Sequence, residues 1–157
     1  MANHFSQLAK KSRTNGSSEK IAKEQTGKPS LDIYKLGDDV LRQNSKRITK
    51  VDESIRKLAR EMLQSMYAAK GIGLAAPQIG INKELLVIDV NFEDSAAEPL
   101  ILINPEITDF GTTLNSYEEG CLSIPGVYLN VVRPSTIKLK FRDEMGRPRK
   151  MKADGLL

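Results

Sequence analysis

The strongest constraint on the fold is a run of apolar residues at helical spacing after residue 52. Apolar side chains recur there at steps of three or four, at Ile55, Leu58, Met62 and Met66. This spacing is typical of one face of an amphipathic helix. Asp52 or Glu53 can accept hydrogen bonds from the free N–H groups of the first turn, and Gly71 can end the helix with Lys70 in its last turn. We predict one amphipathic helix whose apolar face packs into the core.

Downstream of this helix, short apolar segments predict strands. Residues 84–90 and 100–107 are rich in branched apolar side chains and are bounded by Asn, Asp and Pro, as buried strands are. Residues 137–141 alternate apolar and charged side chains, and a turn-rich segment separates them from residues 148–152. We expect these two segments to form a hairpin with one solvated face. Since helices and strands do not alternate regularly, the sequence predicts an α+β fold with mainly antiparallel sheets.

The charge of the chain is unevenly distributed along its length. Residues 1–30 contain six Lys or Arg and two Asp or Glu, whereas residues 31–157 contain 18 of each sign. We interpret residues 1–30 as a disordered basic leader, because Ser, Lys and Gly offer little to bury. With one Arg and two Glu, this leader fits an organellar transit peptide less well. The neutral remainder, of a length that suits one domain, predicts no direct binding of nucleic acid.

The location of the protein follows from two negative features of the sequence. No apolar run approaches the roughly 20 residues that a membrane helix needs, so we predict no membrane association. The chain has one cysteine, which cannot form an intramolecular disulfide and therefore does not require an oxidising compartment. We expect a cytoplasmic protein.

The single cysteine, Cys121, lies in the sequence EEGCLSIPG at residues 118–126. A nucleophilic thiolate needs a histidine, and the only histidine, His4, lies in the leader. A metal site needs further donors, and no second cysteine is present. From composition alone, a buried free thiol is therefore the preferred interpretation.

A second segment of interest, GIGLAAPQIG at residues 71–80, is rich in small residues that permit close approach to the backbone. It has neither the third glycine and acidic residue of a dinucleotide site nor the lysine of a phosphate loop. The amide of Gln78 can donate a hydrogen bond to a developing oxyanion, or it can simply close a turn.

Taken together, GIGLAAPQ and, about 40 residues later, EGCLS resemble the first two signature motifs of the peptide deformylases. The resemblance runs from about Leu31 to the last residue and includes IYKLGDDVLR, LINPEI and KADGLL. It implies a metal-dependent hydrolase that removes the formyl group from the N-terminal formylmethionine of nascent proteins. The implied cofactor is one divalent metal, typically Fe(II), with Zn or Ni as alternatives. The implied partners are N-formylmethionyl nascent peptides, with the ribosome as one place of encounter.

The resemblance also implies roles for individual residues. Cys121 matches the cysteine that binds the metal as a thiolate. Gln78 and the backbone N–H of Leu122 match the pair that holds the formyl oxygen as it becomes an oxyanion.

Four further positions match residues on the substrate side of the family site. Ile72 and Gly73 match residues that line the methionine pocket and pair with the substrate backbone. Glu119 and Arg133 resemble supporting positions near the site.

The sequence departs from the family at its third motif, HExxH, which supplies two histidine ligands and a catalytic glutamate on a helix. This motif is absent, and the chain reaches Leu157 where that helix begins in the family, with Asp154 as a possible N-cap. We therefore expect residues 31–157 to form an incomplete, truncated deformylase domain in which antiparallel sheets lack the family's central helix. The 157-residue chain is then expected to hold metal weakly and to be inactive. The alternative is a non-catalytic short product that acts as a binding or decoy protein.

The leader interpretation makes a direct prediction. Deleting residues 1–30 from a chain completed with the third motif should leave the rate of deformylation unchanged, because the composition of the leader cannot offset the entropy of ordering it. The measurement is kcat/KM on a formyl-methionyl peptide. A large loss of activity would show that the leader contributes to the domain.

Overall fold

The computed structural model describes residues 30–91, 93–94 and 96–157. The predicted leader falls almost entirely outside these residues, so its disorder stays a prediction. Ser30, the last residue assigned to it, is described, and its Oγ donates a hydrogen bond to Gln64 Oε1 at 2.7 Å. The first described residue therefore contacts the amphipathic helix.

Among the described residues the fold contains one α-helix and seven strands. The helix α1 spans Glu53–Ala68, and the strands are β1 (Gly73–Ala75), β2 (Leu85–Ile88), β3 (Leu100–Phe110), β4 (Leu114–Cys121), β5 (Ile124–Pro134), β6 (Thr136–Arg142) and β7 (Pro148–Asp154). Short 3-10 helices cover Asp39–Arg42 and Ala76–Ile79. Strands β1-β2-β3-β6-β7 form an antiparallel sheet in that order, and β4 and β5 form a separate hairpin. The predicted α+β fold with antiparallel sheets is confirmed.

The helix α1 begins and ends close to the predicted positions. The Oδ1 of Asp52 accepts hydrogen bonds from the backbone N–H groups of Ser54 and Ile55 at 3.0 and 3.3 Å, as an N-cap does. The helix ends at Ala68, three residues before Gly71, whose N–H bonds to the Met66 carbonyl at 2.9 Å. None of the described helices is long and apolar enough to cross a membrane.

The predicted apolar face of α1 forms the main core. Met62, Leu63 and Met66 are fully buried in a cluster with residues of β1, β2 and β3. Burying a side chain of this size contributes roughly 1.5–3 kcal/mol. The packing of α1 therefore fixes β1, and with it the segment that follows β1.

The opposite face of the five-stranded sheet carries a second apolar cluster. Leu102 is 2% exposed there, with half-buried Leu86 and Ile88 beside it, around a groove of about 270 Å³. The resemblance to the deformylase family implies that these residues and Ile103 lie under the family's central helix. Ile103 instead faces α1 and is 1% exposed, because successive side chains of a strand point to opposite faces.

The predicted hairpin at the end of the chain is also present. Strands β6 and β7 pair antiparallel with Leu139 opposite Met151, and Lys138, Lys140, Lys150 and Lys152 lie exposed on the other face. Asp154, considered above as a helix N-cap, is the last residue of β7. A helix after it is not among the described residues.

A buried polar pair joins α1 to the end of β2. The Tyr67 hydroxyl donates a hydrogen bond to Asp89 Oδ2 at 2.7 Å, and both residues are almost fully buried. Burial, and then the hydrogen bond to Asp89, raise the pKa of Tyr67. The Asp89 N–H donates to the Ile72 carbonyl at 2.9 Å, so this pair also anchors the start of β1.

Replacing Tyr67 with Phe should lower the free energy of unfolding by about 1–3 kcal/mol, because the buried hydrogen bond to Asp89 is lost. The measurement is urea unfolding followed by circular dichroism. Tyr34→Phe is the matched control, since Tyr34 is 43% exposed and removal of its hydroxyl should change little. Equal effects of the two substitutions would contradict a stabilising role for the Tyr67 hydrogen bond.

Candidate active site

The segment that carries Gln78 is a tight turn held by local contacts. After β1 the chain forms the 3-10 helix Ala76–Ile79, which ends at Gly80 in a left-handed conformation with φ of 80°. A Cβ at position 80 would lie 2.7 Å from the ring of Tyr34. Both this close approach and the left-handed backbone favour glycine here. The Gln78 carbonyl also accepts a hydrogen bond from the Tyr34 N–H at 2.8 Å. The backbone of Gln78 is therefore fixed.

The side chain of Gln78 is oriented as firmly as its backbone. Its Oε1 accepts a hydrogen bond from the Ala75 N–H at 2.9 Å. Because only the amide oxygen can accept, the amide nitrogen must point the other way. Nε2 lies 3.1 Å from Ser123 Oγ and 3.7 Å from Cys121 Sγ. The two sequence segments singled out above, 43 residues apart, thus meet at this amide.

Cys121 lies at the end of β4, where the chain turns into β5. The pairing of the two strands shifts register between Gly120 and Cys121, and Cys121 then faces Ile124 across a tight turn. The thiol is exposed. The interpretation from composition, a buried free thiol, is therefore wrong, because the hairpin places the cysteine on its surface beside Gln78.

The turn after Cys121 is held by the N-terminal segment. Lys35 Nζ donates to the Leu122 carbonyl at 2.9 Å, and the Leu36 N–H donates to the Ser123 carbonyl at 2.8 Å. The Leu122 N–H has no hydrogen-bond partner among the residues that the structure describes. Two donors, the Gln78 amide and the Leu122 N–H, thus belong to adjoining segments next to the cysteine.

Ile72 and Gly73 lie on the neighbouring segment. Gly73 pairs with Ile88, and β1 is the edge strand of its sheet, so one side of its backbone has no strand partner within the described chain. Ile72 is 37% exposed. A Cβ at Gly71 would lie 2.6 Å from Leu122 Cδ1, so this glycine lets the Ile72 segment approach the turn after Cys121.

Glu119 and Arg133 contact each other across the β4–β5 hairpin. The Arg133 guanidinium donates two hydrogen bonds, to Glu119 Oε1 at 2.5 Å and Oε2 at 2.7 Å. This bidentate pair lowers the pKa of Glu119 below its ordinary value and raises the pKa of Arg133. The described contacts link the pair to neither Gln78 nor Cys121, although Glu119 precedes Cys121 by two residues.

The donors present do not complete a metal site. No group of three or more His, Cys, Asp or Glu side chains that could hold a metal ion occurs within the part of the chain that the structure describes. Cys121 supplies one sulfur, whereas protein sites for divalent metals use three or four ligands. The sole histidine, His4, lies outside the described residues. The thiol fits one position of such a site and no more.

The site also contains two residues that the sequence did not single out. Ser123 is 5% exposed, and its Oγ accepts a hydrogen bond from the Gln78 amide. Lys35 Nζ donates a hydrogen bond to the Leu122 carbonyl. Ser123 could have been noticed, because it is the serine of EGCLS and follows the apolar Leu122 in a short turn. Lys35, 87 residues from Leu122, gave no signal, because its role depends on tertiary contact.

This α+β domain brings a cysteine, a fixed amide and an open sheet edge together. The family model described as polypeptide deformylase matches residues 30–157. The chain is 98% identical over 157 residues to a peptide deformylase of Prochlorococcus marinus strain AS9601, covering all of this chain and 78% of that protein. It is 62% identical over the same length to peptide deformylase 2 of strain MIT 9313, again covering 78% of that protein.

Solved structures give the same result. A peptide deformylase of Synechococcus elongatus, solved in complex with actinonin, superposes with a TM-score of 0.86 at 53% identity, over 88% of this chain and 76% of that one. A peptide deformylase of Thermotoga maritima gives a TM-score of 0.75 at 37% identity, over 80% of this chain and 82% of that one.

The chain belongs to the peptide deformylase family. Its members are hydrolases of protein biosynthesis that act on formylated nascent peptides. The resemblance seen in the sequence is therefore confirmed at the level of family and enzyme class.

The Glu119–Arg133 pair predicts a specific titration. In the wild-type chain the pKa of Glu119 should lie below its ordinary value, and Arg133→Gln should raise it toward that value by removing both donors. Any stability the pair contributes is present above the ordinary pKa and disappears as the pH falls through the lowered one. The measurement is carboxyl-carbon NMR titration, with Arg56→Gln as a control that leaves Glu119 untouched. An unchanged Glu119 titration in the Arg133 variant would contradict the pairing.

Proposed function

We propose that this chain carries the substrate-binding and oxyanion-holding part of a peptide deformylase site. The reaction is hydrolysis of the formyl amide on the N-terminal methionine of nascent chains, which releases formate and a free amine. The observation that carries the proposal is the position of Gln78 Nε2, 3.7 Å from Cys121 Sγ, with the amide oxygen already held by the Ala75 N–H. We further propose that this takes place in the cytoplasm, on chains that emerge from the ribosome.

Gln78 and Leu122 act as the donors to the formyl oxygen. Attack of water on the formyl carbon places negative charge on that oxygen, and fixed amide donors lower the energy of this charge without reorganising. Gln78 fits because both ends of its amide have defined partners. Leu122 fits because Lys35 holds its carbonyl and the hairpin turn holds its backbone, while its N–H lacks a partner among the described residues.

Ile72 and Gly73 form the substrate-binding edge. An edge strand presents unpaired N–H and C=O groups, to which an extended peptide can add as another strand. Gly73 leaves space above this backbone, and Ile72 offers an exposed apolar side chain suited to a methionine. Glu119 and Arg133 do not contact the substrate. Their hydrogen bonds hold β4 and β5 in register near Cys121, the last residue of β4.

Cys121 is proposed as one ligand of a divalent metal, with Fe(II) favoured and Zn or Ni as alternatives. Its exposed thiol is open to an ion. The HExxH motif does not occur in the 157 residues, and the described donors do not complete a site. We therefore propose that these residues alone bind metal weakly and do not deformylate. The comparisons give no support to the alternative of a binding or decoy protein.

The test compares residues 1–157 with a version extended through an HExxH helix. Both are loaded anaerobically with iron or zinc, and metal content and turnover of a formyl-methionyl peptide are measured. We expect stoichiometric metal and activity in the extended chain only, and loss of both on Cys121→Ala in that chain. Retention of metal and comparable turnover in the short form would disprove the assignment of Cys121 to a site of several ligands.

Gln78→Leu in the extended chain should lower kcat by about 10²- to 10³-fold while the metal stays bound, since one oxyanion donor is removed. Ser123→Ala is the matched control, because it removes one acceptor of the Gln78 amide but leaves the donor and its Ala75 contact. A much smaller effect on kcat is expected for that variant. Loss of metal in Gln78→Leu with an unchanged rate per bound metal would instead assign Gln78 a structural role.

A further inference from the structure

The β6–β7 hairpin carries a face of four lysines, here called the lysine face: Lys138, Lys140, Lys150 and Lys152. Lys138 is directly opposite Lys152 in the register of the two strands, and Lys140 is directly opposite Lys150. All four residues are exposed. Facing residues of antiparallel strands lie about 4.5–5.5 Å apart, and next-but-one residues along a strand about 7 Å apart. The four ammonium groups therefore extend from one compact, nearly square patch.

The lysine face lies on a hairpin with an excess of positive charge, although residues 31–157 as a whole are neutral. Residues 136–154 contain seven Lys or Arg and three Asp or Glu, whereas residues 31–135 contain 11 basic and 15 acidic residues. The neutral total of residues 31–157 therefore combines a basic hairpin with an acidic remainder. A net charge of zero for residues 31–157 therefore does not exclude a local excess of positive charge on this hairpin.

Only half of the lysine face is neutralised by neighbours. Lys138 Nζ lies 2.8 Å from Asp109 Oδ2, and Lys140 Nζ lies 2.9 Å from Glu106 Oε1. Lys150 and Lys152 form no ion pair with any described residue. Like charges directly opposite each other destabilise a strand pair. Lysines on the edge strand β7 discourage pairing with another chain, but that role does not extend to the two lysines of β6, which is paired on both sides.

We propose that the lysine face binds the phosphate backbone of a nucleic-acid duplex. Lysine ammonium groups bind phosphates as point charges, and two free and two partly neutralised ones can contact successive phosphates of one strand. Binding is independent of base sequence, because lysine has no forked donor group for base edges, and the guanidinium of Arg142, next on the same side of β6, donates to the Thr49 carbonyl at 3.4 Å. It favours a duplex over single strands, because the aromatic Phe141, on which a base could stack, belongs to the apolar cluster of the opposite face. This proposal does not depend on the deformylase activity.

The composition of the face disfavours two other partners. A membrane surface would be bound through lysines interleaved with apolar or aromatic anchors, and the apolar residues of this hairpin, such as Leu139 and Ala153, are buried on the other side. Protein interfaces are depleted in lysine at their centre, where four would have to be desolvated together. A phosphate backbone leaves the ammonium groups partly hydrated and releases its counterions on binding.

The test measures fluorescence anisotropy of a labelled DNA duplex of about 20 base pairs, and of the RNA duplex of the same sequence, with the full 157-residue chain, between about 50 and 200 mM salt. The variant is Lys150→Gln/Lys152→Gln. One control, Lys46→Gln/Lys57→Gln, removes two exposed charges elsewhere on the domain. A second control, Lys10→Gln/Lys11→Gln, removes two charges from the N-terminal segment. Thermal unfolding of every variant is recorded, and the lysine-face variant should be at least as stable as wild type because the opposed like charges are removed.

We expect the affinity of the lysine-face variant to fall at least about fivefold at about 50 mM salt. Its slope of log K against log salt should shrink by about 1 to 2, at roughly 0.9 for each phosphate that is no longer neutralised. Both controls should retain most of the wild-type affinity. Equal decreases in all three variants, no duplex binding by wild type, or tighter binding to phosphatidylserine vesicles or polyglutamate than to the duplex would each overturn the proposal.

Discussion

The hydrogen bonds of one side-chain amide hold the site together. The Gln78 side-chain oxygen accepts a hydrogen bond from the N–H of Ala75 in β1, and the side-chain nitrogen donates to Ser123 in the turn between β4 and β5. The β4–β5 hairpin forms its own two-stranded sheet and relies on such contacts for its orientation. Lys35 and Leu36 add two hydrogen bonds to the same turn. The position of Cys121 relative to the main sheet therefore depends on these polar contacts and on the packing of Leu122 against the main core.

Much of the main sheet and its helix could be predicted, because each segment has one buried and one solvated side. The helix α1 was predicted from its apolar spacing, and β2, β3 and the β6–β7 hairpin from short apolar or alternating runs. Strands β4 and β5 gave no such signal, since most of their side chains are exposed, including Tyr128 and Val132 on β5. A strand without a buried face has no alternation to detect. The hairpin that carries the cysteine was thus the part that periodicity could not find.

The candidate site residues were proposed from motif resemblance and not from the chemistry of single residues, and their roles stay predictions. Composition alone favoured a buried Cys121, and spacing alone left Gln78 as either a donor or a turn residue. Only the fold shows that these residues are neighbours, because 43 residues and three strands separate them in the chain. Lys35 could not be assigned, since its ammonium group acquires its role from the distant backbone carbonyl of Leu122. Averaging charge over the domain likewise concealed the lysine face, which depends on strand register.

The shortness of β1 has a consequence for the behaviour of the protein in solution. An open sheet edge is a hazard as well as a binding surface, because any extended segment of another molecule can add to it and begin aggregation. Here the edge comprises only Gly73–Ala75 and gives way at once to the 3-10 helix Ala76–Ile79. A strand from a second copy would find hydrogen bonds over only these three residues. The shortness of the edge therefore limits how firmly an aggregating neighbour can pair with it.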